Sequence, residues 1–413
     1  MDSCDVLIVG AGPAGSSCAW GLRSSGLDVL ILEKSKFPRD KVCGGWITPA
    51  VFDMLHIRPE EYGQTRTLQP ITGFKIGCIG DGGLDVGYSR IVSYGIRRCE
   101  FDEYLLRRCC ARYREETEVG SIEWTDDGWI INGEIKARLL VGAGGHFCPV
   151  ARYLGGPDVG QPVVAQEIEF QMNLKQAASC AVRGEMPELY FCNDMQGYGW
   201  CFRKGDYLNI GLGRLDPRGL PDHVRGFCNF LKQSGKLSTS LPDEFRGHAY
   251  FLFGRSPRRL VRNASMLIGD AAGLAYPQSG EGIRPAVQSG LLAAEVIQTA
   301  EKTYSRNRLA AYPEELGRRL STGQESLEAV AQHLPSALRN ISARLLFTSK
   351  IFCRRVVADM WFLRTGFDEK CRLLVGGRGD VDRASHGDPS SERRNPTSPT
   401  LASGHSERRR RAS

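Results

Sequence analysis

The sequence lacks any apolar run of the roughly 18 or more residues that a membrane-spanning helix requires. Its 14 cysteines include no C-x-x-C pair and no His/Cys spacing typical of a metal site, so we predict no metal centre. We also recognise no signal peptide, and therefore expect reduced thiols in a cytoplasmic protein.

Strong charge of one sign is also missing. The net charge is +7, and residues 376–413 contribute +3 of it through eight arginines and five acidic residues. The remainder is too weakly basic to indicate nucleic-acid binding. Apolar residues almost disappear after Gly376, which predicts a disordered tail over residues 376–413.

What the sequence does contain is an apolar strand that runs straight into a glycine-rich turn. Residues 4–15 read CDVLIVGAGPAG, which includes the pattern G-x-G-x-x-G. In a dinucleotide-binding βαβ unit the first glycine, Gly10, permits the tight turn. The second, Gly12, lets the backbone approach a pyrophosphate, and the third, Gly15, lets the helix pack closely on the strand.

Two further features of this unit favour a bound dinucleotide. The helix that begins at Pro13 and Ala14 offers free N–H groups and a partial positive charge to phosphates. A second apolar strand, at residues 29–32, ends in Glu33, which is placed to accept hydrogen bonds from a ribose. The sequence therefore predicts a dinucleotide cofactor.

The pattern of apolar residues changes along the chain. Short, alternating segments indicate an antiparallel sheet, and the turn at residues 204–206 predicts a hairpin within it. Helical spacing predicts a helix over residues 100–114 and another over residues 338–363. The second helix is amphipathic and basic, so it either packs on the body of the protein or docks on a lipid surface.

These patterns predict an α/β fold, in which a Rossmann-like domain carries an inserted antiparallel β substrate domain and C-terminal helices. The predicted domains are a discontinuous dinucleotide-binding domain at 1–70, 95–160 and 260–310, an antiparallel domain at 71–94 and 161–259, and a helical region at 311–375.

Four segments together resemble a known family. They are GAGPAG with Glu33, RCEFD at residues 98–102, GDAAG with PQSGEGI at residues 269–283, and YGWCFRKGD at residues 198–206. With them the chain resembles FAD-dependent oxidoreductases of the geranylgeranyl reductase family, within the aromatic-hydroxylase class of flavoproteins.

The resemblance implies FAD as the cofactor. It places Arg98 beside the ribityl chain and pyrophosphate, and Asp270 at a ribityl hydroxyl, with the loop and helix after Asp270 against the flavin. The implied cofactor-binding residues are Gly10, Gly12, Pro13, Ala14, Gly15, Glu33, Lys34, Cys43, Gly44, Arg98, Gly269, Asp270, Gly280, Gly282 and Ile283.

The resemblance also implies the chemistry, which is hydride transfer from reduced flavin to a carbon–carbon double bond of an isoprenoid or lipid-like substrate. Cys43 falls where the family has a Cys-Gly loop over the flavin, and its thiol either donates a proton, positions the substrate or is structural. Tyr198, Trp200 and Phe202 alternate on one strand and share a face. That face either lines a substrate tunnel or belongs to the sheet core.

Several alternatives stay open at this point. The hydroxylases of the class carry an Asp-Gly motif where this chain has Gly144, and Arg203 replaces a proline of the substrate signature. A flavin monooxygenase of a small molecule, a flavin halogenase and a non-enzymatic FAD-binding protein are the other interpretations. Since only one dinucleotide fingerprint is present, NAD(P)H or a reduced electron carrier must dock transiently. Peripheral membrane association is also left open.

Overall fold

The computed structural model describes residues 1–155, 160–237, 241–242, 244–255, 258–320 and 344–365. Its strands, numbered along the chain, are β1 Asp2–Val9, β2 Val29–Leu32, β3 Trp46–Ile47, β4 Leu68–Ile71, β5 Gly73–Cys78, β6 Gly82–Gly87, β7 Ser93–Ile96, β8 Arg112–Arg114, β9 Ile122–Thr125, β10 Gly128–Ile131, β11 Ile135–Gly142, β12 Val163–Gln171, β13 Glu188–Phe191, β14 Gly197–Lys204, β15 Tyr207–Arg214, β16 Arg246–Tyr250, β17 Val261–Arg262 and β18 Ser265–Leu267.

The helices connect these strands and cover the sheets. They are α1 Pro13–Leu22, α2 Pro49–Met54, α3 Pro59–Gly63, α4 Arg98–Arg108, α5 Pro149–Gly155, α6 Leu174–Ser179, α7 Leu220–Gln233, α8 Ile283–Thr299, α9 Ala311–Leu320 and α10 Lys350–Phe352. A 3-10 turn spans Gly269–Ala272, and a π-helix, Cys353–Leu363, continues from α10.

The first sheet is the Rossmann-like part of the fold. Its strands run in the order β17-β18-β11-β1-β2-β8, and β1 pairs in parallel with both β11 and β2. The residues of β2 are all buried, as are the last four of β1, because helices cover both faces of a parallel sheet. The carboxyl ends of β1, β2 and β11 therefore meet at one edge, where ligands bind in such folds.

Helix α8 reaches that same edge because it packs very closely on α1. A Cβ atom on Gly290 would lie 2.4 Å from the carbonyl oxygen of Ala14. Only glycine permits this approach, and the contact brings the middle of α8 against the first turns of α1.

The second sheet has the order β16-β12-β15-β14-β13-β5-β6 and is antiparallel except where β13 pairs with β5. The predicted hairpin is confirmed, since Lys204 pairs with Tyr207 across the turn between β14 and β15. One face of this sheet packs against α7 through a core that includes Ile210 and Phe227. The opposite face is turned toward the edge of the first sheet. A third, small sheet has the order β3-β7-β4.

The predicted helix over residues 100–114 was too long. The structure has α4 at Arg98–Arg108 and then a strand, β8, that pairs with β2. Cys110 between them adopts a positive φ of 60°, which a continuing helix does not allow. Of the helix expected over residues 338–363, residues 338–343 lie outside the described part.

The α/β fold class is confirmed, and the described residues belong to one compact unit. The strands of the two large sheets fall within the ranges given to the two predicted domains, whose boundaries stay predictions. The predicted tail, 376–413, lies outside the described residues.

Among the described residues, no helix is long and apolar enough to cross a membrane. In the same part of the chain no cluster of His, Cys, Asp and Glu suits a metal ion, and 13 cysteines are free thiols.

Candidate active site

The turn between β1 and α1 borders a cavity of about 640 Å³. Gly12, the cap residue of α1, is extended and provides no side-chain cap, so the first N–H groups of the helix lack intrahelical partners. A Cβ atom on Gly12 would approach only Arg39, whose Nη2 would be 3.7 Å away. The turn therefore offers backbone donors and open space to an anionic ligand.

Two other glycines make the turn itself possible. Gly10 has a φ of +109°, and a Cβ atom there would lie 2.5 Å from the carbonyl oxygen of Ala143. A Cβ atom on Gly15 would lie 1.9 Å from the carbonyl oxygen of Gly10. The close packing of helix on strand that the sequence predicts is therefore present, and Gly15 lies behind the cavity rather than in its wall.

Glu33 lies at the end of β2 and is buried. Its Oε2 accepts a hydrogen bond from the Ala11 N–H at 2.9 Å, and its Oε1 accepts one from the Ser35 N–H at 3.2 Å. Arg39 Nε is 3.7 Å from Oε1. Each carboxylate oxygen accepts more than one hydrogen bond, so Glu33 fixes the turn and keeps acceptor capacity toward the cavity.

An arginine pair lies beside the turn. Arg98, at the start of α4, forms two hydrogen bonds of 2.8 Å with the fully buried carboxylate of Asp102. Arg39 Nη1 is 3.4 Å from the same carboxylate. Because Arg39 is shared between Asp102 and Glu33, two carboxylates balance the two guanidinium groups. What the pair offers an anionic ligand is the remaining N–H donors of the guanidinium groups.

The segment from Gly269 to α8 forms the opposite wall. Gly269 has a φ of +61° and its N–H donates to Ser289 Oγ at 2.9 Å, which holds the turn to α8. Asp270 is half-buried and borders the cavity. Helix α8 begins just beyond Gly282 without a side-chain cap, and its first residue, Ile283, lines the cavity, so the uncapped helix start borders the cavity.

The remaining wall comes from the second sheet and the loop that carries Cys43. Tyr198, Trp200 and Phe202 of β14 all line the cavity, on the face opposite α7. A Cβ atom on Gly44 would lie 3.3 Å from both Trp200 Nε1 and Phe202 Cε2. The Cys43–Gly44 loop is therefore in contact with the aromatic face, and the cavity runs between the two sheets.

A family comparison identifies the cofactor of this chain. Residues 3–323 match the family described as FAD binding domain, which is more than half of the chain. The chain belongs to the FAD-binding domain family. The predicted cofactor, FAD, is thereby confirmed.

The relatives of this FAD-binding protein include named reductases. Digeranylgeranylglycerophospholipid reductase 1 of Methanothermobacter thermautotrophicus is 28% identical over 77% of this chain and 84% of the relative. Menaquinone reductase of Mycobacterium tuberculosis is 27% identical over 73% of this chain and 78% of the relative. The named reductases confirm the predicted class, a FAD-dependent oxidoreductase, and the first of them confirms the predicted resemblance to reductases of the geranylgeranyl type.

A solved structure shows the same fold. The geranylgeranyl bacteriochlorophyll reductase-like protein of Thermoplasma acidophilum superposes with a TM-score of 0.68 at 20% sequence identity. The match covers 84% of this chain and 88% of that protein.

The residues of the cavity fit FAD. The open space above Gly12 and the two uncapped helix starts suit a pyrophosphate and an electron-rich ring, respectively. Arg98 adds N–H donors, while Glu33 and Asp270 can accept hydrogen bonds from sugar hydroxyls.

Most of the residues predicted from the sequence meet in this one cavity, although their individual roles stay predictions. The exceptions are two glycines behind its wall, Gly15 and Gly269. The predicted residues that line it are Gly10, Gly12, Pro13, Ala14, Glu33, Lys34, Cys43, Gly44, Arg98, Tyr198, Trp200, Phe202, Asp270, Gly280, Gly282 and Ile283.

Sequence reasoning missed several polar residues of the cavity. Lys41 Nζ lies 3.3 Å from His248 Nδ1, and His248 Nε2 lies 3.9 Å from Asp270 Oδ2. Burial, together with the nearby charges of Lys41 and Arg98, lowers the pKa of His248 to about 2, so this imidazole is neutral at physiological pH. No motif marked His248, because it stands in a short strand of the second sheet, far along the chain from the fingerprint.

Glu167 of β12 is the other residue that was missed. It lines the cavity, and burial raises its pKa to about 7 against the opposing effects of the Cys43 N–H and Lys204. Side chains alternate along β12, so Ala165, Glu167 and Glu169 lie on one face of the sheet, and the sequence pattern could have predicted this shared face. The sequence did not reveal that this face borders the cofactor cavity.

Proposed function

We propose that the protein reduces carbon–carbon double bonds of an isoprenoid or lipid-like substrate. The observation that carries the proposal is the joining of an aromatic wall, a cysteine loop and the FAD-binding residues in a single cavity. When bound and reduced, FAD supplies the hydride for such a reaction.

The chain's own residues hold the two reactants in this proposal. The α1 N-terminus binds the pyrophosphate, Glu33 a ribose, and Arg98 and Asp270 the linking chain. Tyr198, Trp200 and Phe202 provide an aromatic surface for an alkene chain and exclude water from it.

Cys43 holds the proton that the second carbon of the double bond must receive. Its thiol lies beside Arg98, which interacts with it, and the Gly45 N–H donates to its Sγ at 3.4 Å. A thiol is a far stronger acid than an alcohol. Cys43→Ser should therefore slow alkene reduction more than it slows reduction of the flavin, and equal slowing of both steps would return the thiol to a structural role.

The electron donor in this proposal is NAD(P)H or a reduced electron carrier that docks transiently. Anaerobic mixing with NADPH or NADH should bleach the flavin absorbance if a nicotinamide is the donor. Bleaching by dithionite alone would favour a protein carrier.

We further propose that residues 344–365 contact a lipid surface from which the substrate enters. Phe362 of this segment lines the cavity and packs edge-to-face against Tyr198. The outer side of the segment exposes apolar and basic side chains, a combination typical of interfacial helices. They are Leu345, Leu346, Lys350, Ile351, Arg355 and Met360.

Vesicle flotation tests this contact. The protein should float with anionic vesicles, and the double variant Ile351→Glu, Leu345→Glu should remain at the bottom while still binding FAD. Equal flotation of both proteins would remove the lipid contact from the proposal.

The decisive experiment for the reaction is anaerobic. Dithionite-reduced protein is incubated with a geranylgeranyl lipid, and mass spectrometry should show the gain of two hydrogen atoms per double bond. With isotopically labelled O2, substrate-dependent uptake of oxygen and one labelled oxygen atom in the product would instead establish the monooxygenase alternative.

A further inference from the structure

The cavity face of the second sheet contains a row of three residues in register. Glu167 of β12 and Trp200 of β14 both pair with Gly211 of the strand between them, β15. A Cβ atom on Gly211 would lie 2.2 Å from Trp200 Cζ2 and 2.8 Å from Glu167 Cβ. The indole therefore lies across Gly211 beside Glu167.

The next row on the same face is centred on Asn209, which is fully buried. Its Oδ1 accepts a hydrogen bond from Trp200 Nε1 at 2.7 Å. Its Nδ2 donates to Glu169 Oε2 at 3.3 Å and to the carbonyl oxygen of Cys43 at 3.2 Å. Lys204 Nζ in turn donates to Glu169 Oε2 at 2.6 Å. Asn209 thus joins the aromatic wall to the cysteine loop.

Glu167 binds the backbone N–H of Cys43, whose carbonyl oxygen is bound by Asn209. Its Oε1 accepts the Cys43 N–H, and only 4% of the residue is exposed. Within the described part of the chain, its Oε2 has no hydrogen-bond partner. The two backbone groups of Cys43 are therefore bound by side chains from neighbouring strands of one sheet.

We propose that Glu167 and Asn209 are positioning residues that clamp Cys43 against the aromatic face and so fix where its thiol lies in the cavity. The catalytic use of that thiol rests on the proposed function, but the clamp itself does not.

The energetic cost of Glu167 supports this role. A carboxyl group buried with one oxygen unpaired is destabilising compared with an apolar side chain of similar size. The Cys43 N–H, Lys204 and the Asn209 amide offset the burial of this carboxyl group in part, while Glu169 opposes its ionisation. What the carboxyl group adds over an apolar side chain is the acceptor for Cys43.

The test is the rate at which iodoacetamide alkylates Cys43 in the FAD-loaded protein without substrate, measured for each cysteine by mass spectrometry. Two variants separate the acceptor from the charge. Glu167→Leu removes both, and the rate should rise on the order of tenfold as one restraining hydrogen bond is lost. Glu167→Gln keeps an acceptor oxygen, and its rate should stay within about twofold of the wild type.

The controls lie elsewhere in the same chain. Cys110 is exposed and should react equally in every variant, and Glu123→Leu, at an exposed position of β9, should leave the Cys43 rate unchanged. If Glu167→Leu does not fold, Asn209→Ala frees the carbonyl of Cys43 and should give the same rise.

Unchanged alkylation in folded Glu167→Leu or Asn209→Ala would overturn the clamp, as would a tenfold rise in Glu167→Gln. The alkylation assay contains no substrate, so its result does not depend on alkene reduction. A protein that fails to reduce alkenes could still show the clamp, and a failure of the clamp would not contradict the proposed reductase activity.

Discussion

The two sides of the cavity bind their ligands by different means. The first side contributes open space at Gly12 and two helix starts without side-chain caps, with the side chains of Glu33, Arg98 and Asp270 beside them. The second sheet contributes side chains, with Trp200, Asn209 and Glu167 joined by hydrogen bonds directly or through Cys43. A backbone site depends on chain geometry, whereas a side-chain site depends on the register of the strands.

Because of this difference, we expect substitutions on the two sides to have different effects on FAD binding and on stability. On the first side, a change that fills space should abolish ligand binding without unfolding the protein. On the second side, a change should alter stability and loop order while the cofactor stays bound. Each of the following predictions compares the two sides.

The largest effect is expected for Gly12→Val, on the first side. Its side chain would enter the space above α1 where only Arg39 is near, so the protein should fold but purify without yellow colour. The control is Gly226→Val, at an exposed position of α7 with open space around it, which should keep its flavin. An unchanged flavin absorbance in Gly12→Val would contradict the assignment of the turn to FAD.

The second prediction concerns the stability of Glu167→Gln as a function of pH. The pKa of Glu167 is raised to about 7 from an ordinary 4.5. At a pH between these two values, Glu167 is protonated in the folded state and ionised in the unfolded state. Wild-type stability should therefore fall as pH rises from about 5 to 8, and remain level above that range with respect to this group.

The glutamine side chain does not ionise, so the variant should gain about 2–3 kcal/mol relative to the wild type between pH 5 and 8. Urea unfolding at both pH values measures this gain, and groups common to both proteins cancel. A difference that does not change with pH would show that Glu167 titrates normally.

The contrast between the two sides also explains how much the sequence could predict. Gly10, Gly12, Gly15 and Glu33 lie within about 25 residues of one another, and the geometry they require is local, so their cluster was predictable. Glu167 pairs with Gly211 because β12 and β15 are neighbours in a particular register. The sequence of neither strand predicts that neighbour or that register. The end of α4 was also missed, because the periodicity of residues 100–114 gave no sign of the positive φ at Cys110.

A smaller effect is expected for Glu33→Ala, on the first side. The substitution leaves the Ala11 N–H without its acceptor and removes an acceptor for the ribose, so FAD affinity should fall by about 1–3 kcal/mol. Titration of the apoprotein with FAD measures this loss, and the exposed Glu123→Ala is its control. Equal affinity in Glu33→Ala and the wild type would exclude Glu33 from cofactor binding.

The smallest effect is expected for Tyr198→Phe, which tests a direct link between the two sides. The Tyr198 hydroxyl donates to the carbonyl oxygen of Ser279, in the segment that leads to α8. Loss of this one hydrogen bond should lower stability by about 1 kcal/mol, while the ring remains in the aromatic wall. Because FAD is held mainly by groups of the first side, its dissociation constant should change less than about twofold.

Thermal unfolding and FAD titration of the same preparation separate the two quantities, and Tyr153→Phe, at an exposed ring, provides the matched control. A large loss of FAD affinity with unchanged stability would mean that the second side takes part in holding the cofactor, and the division between backbone and side-chain binding would then fail.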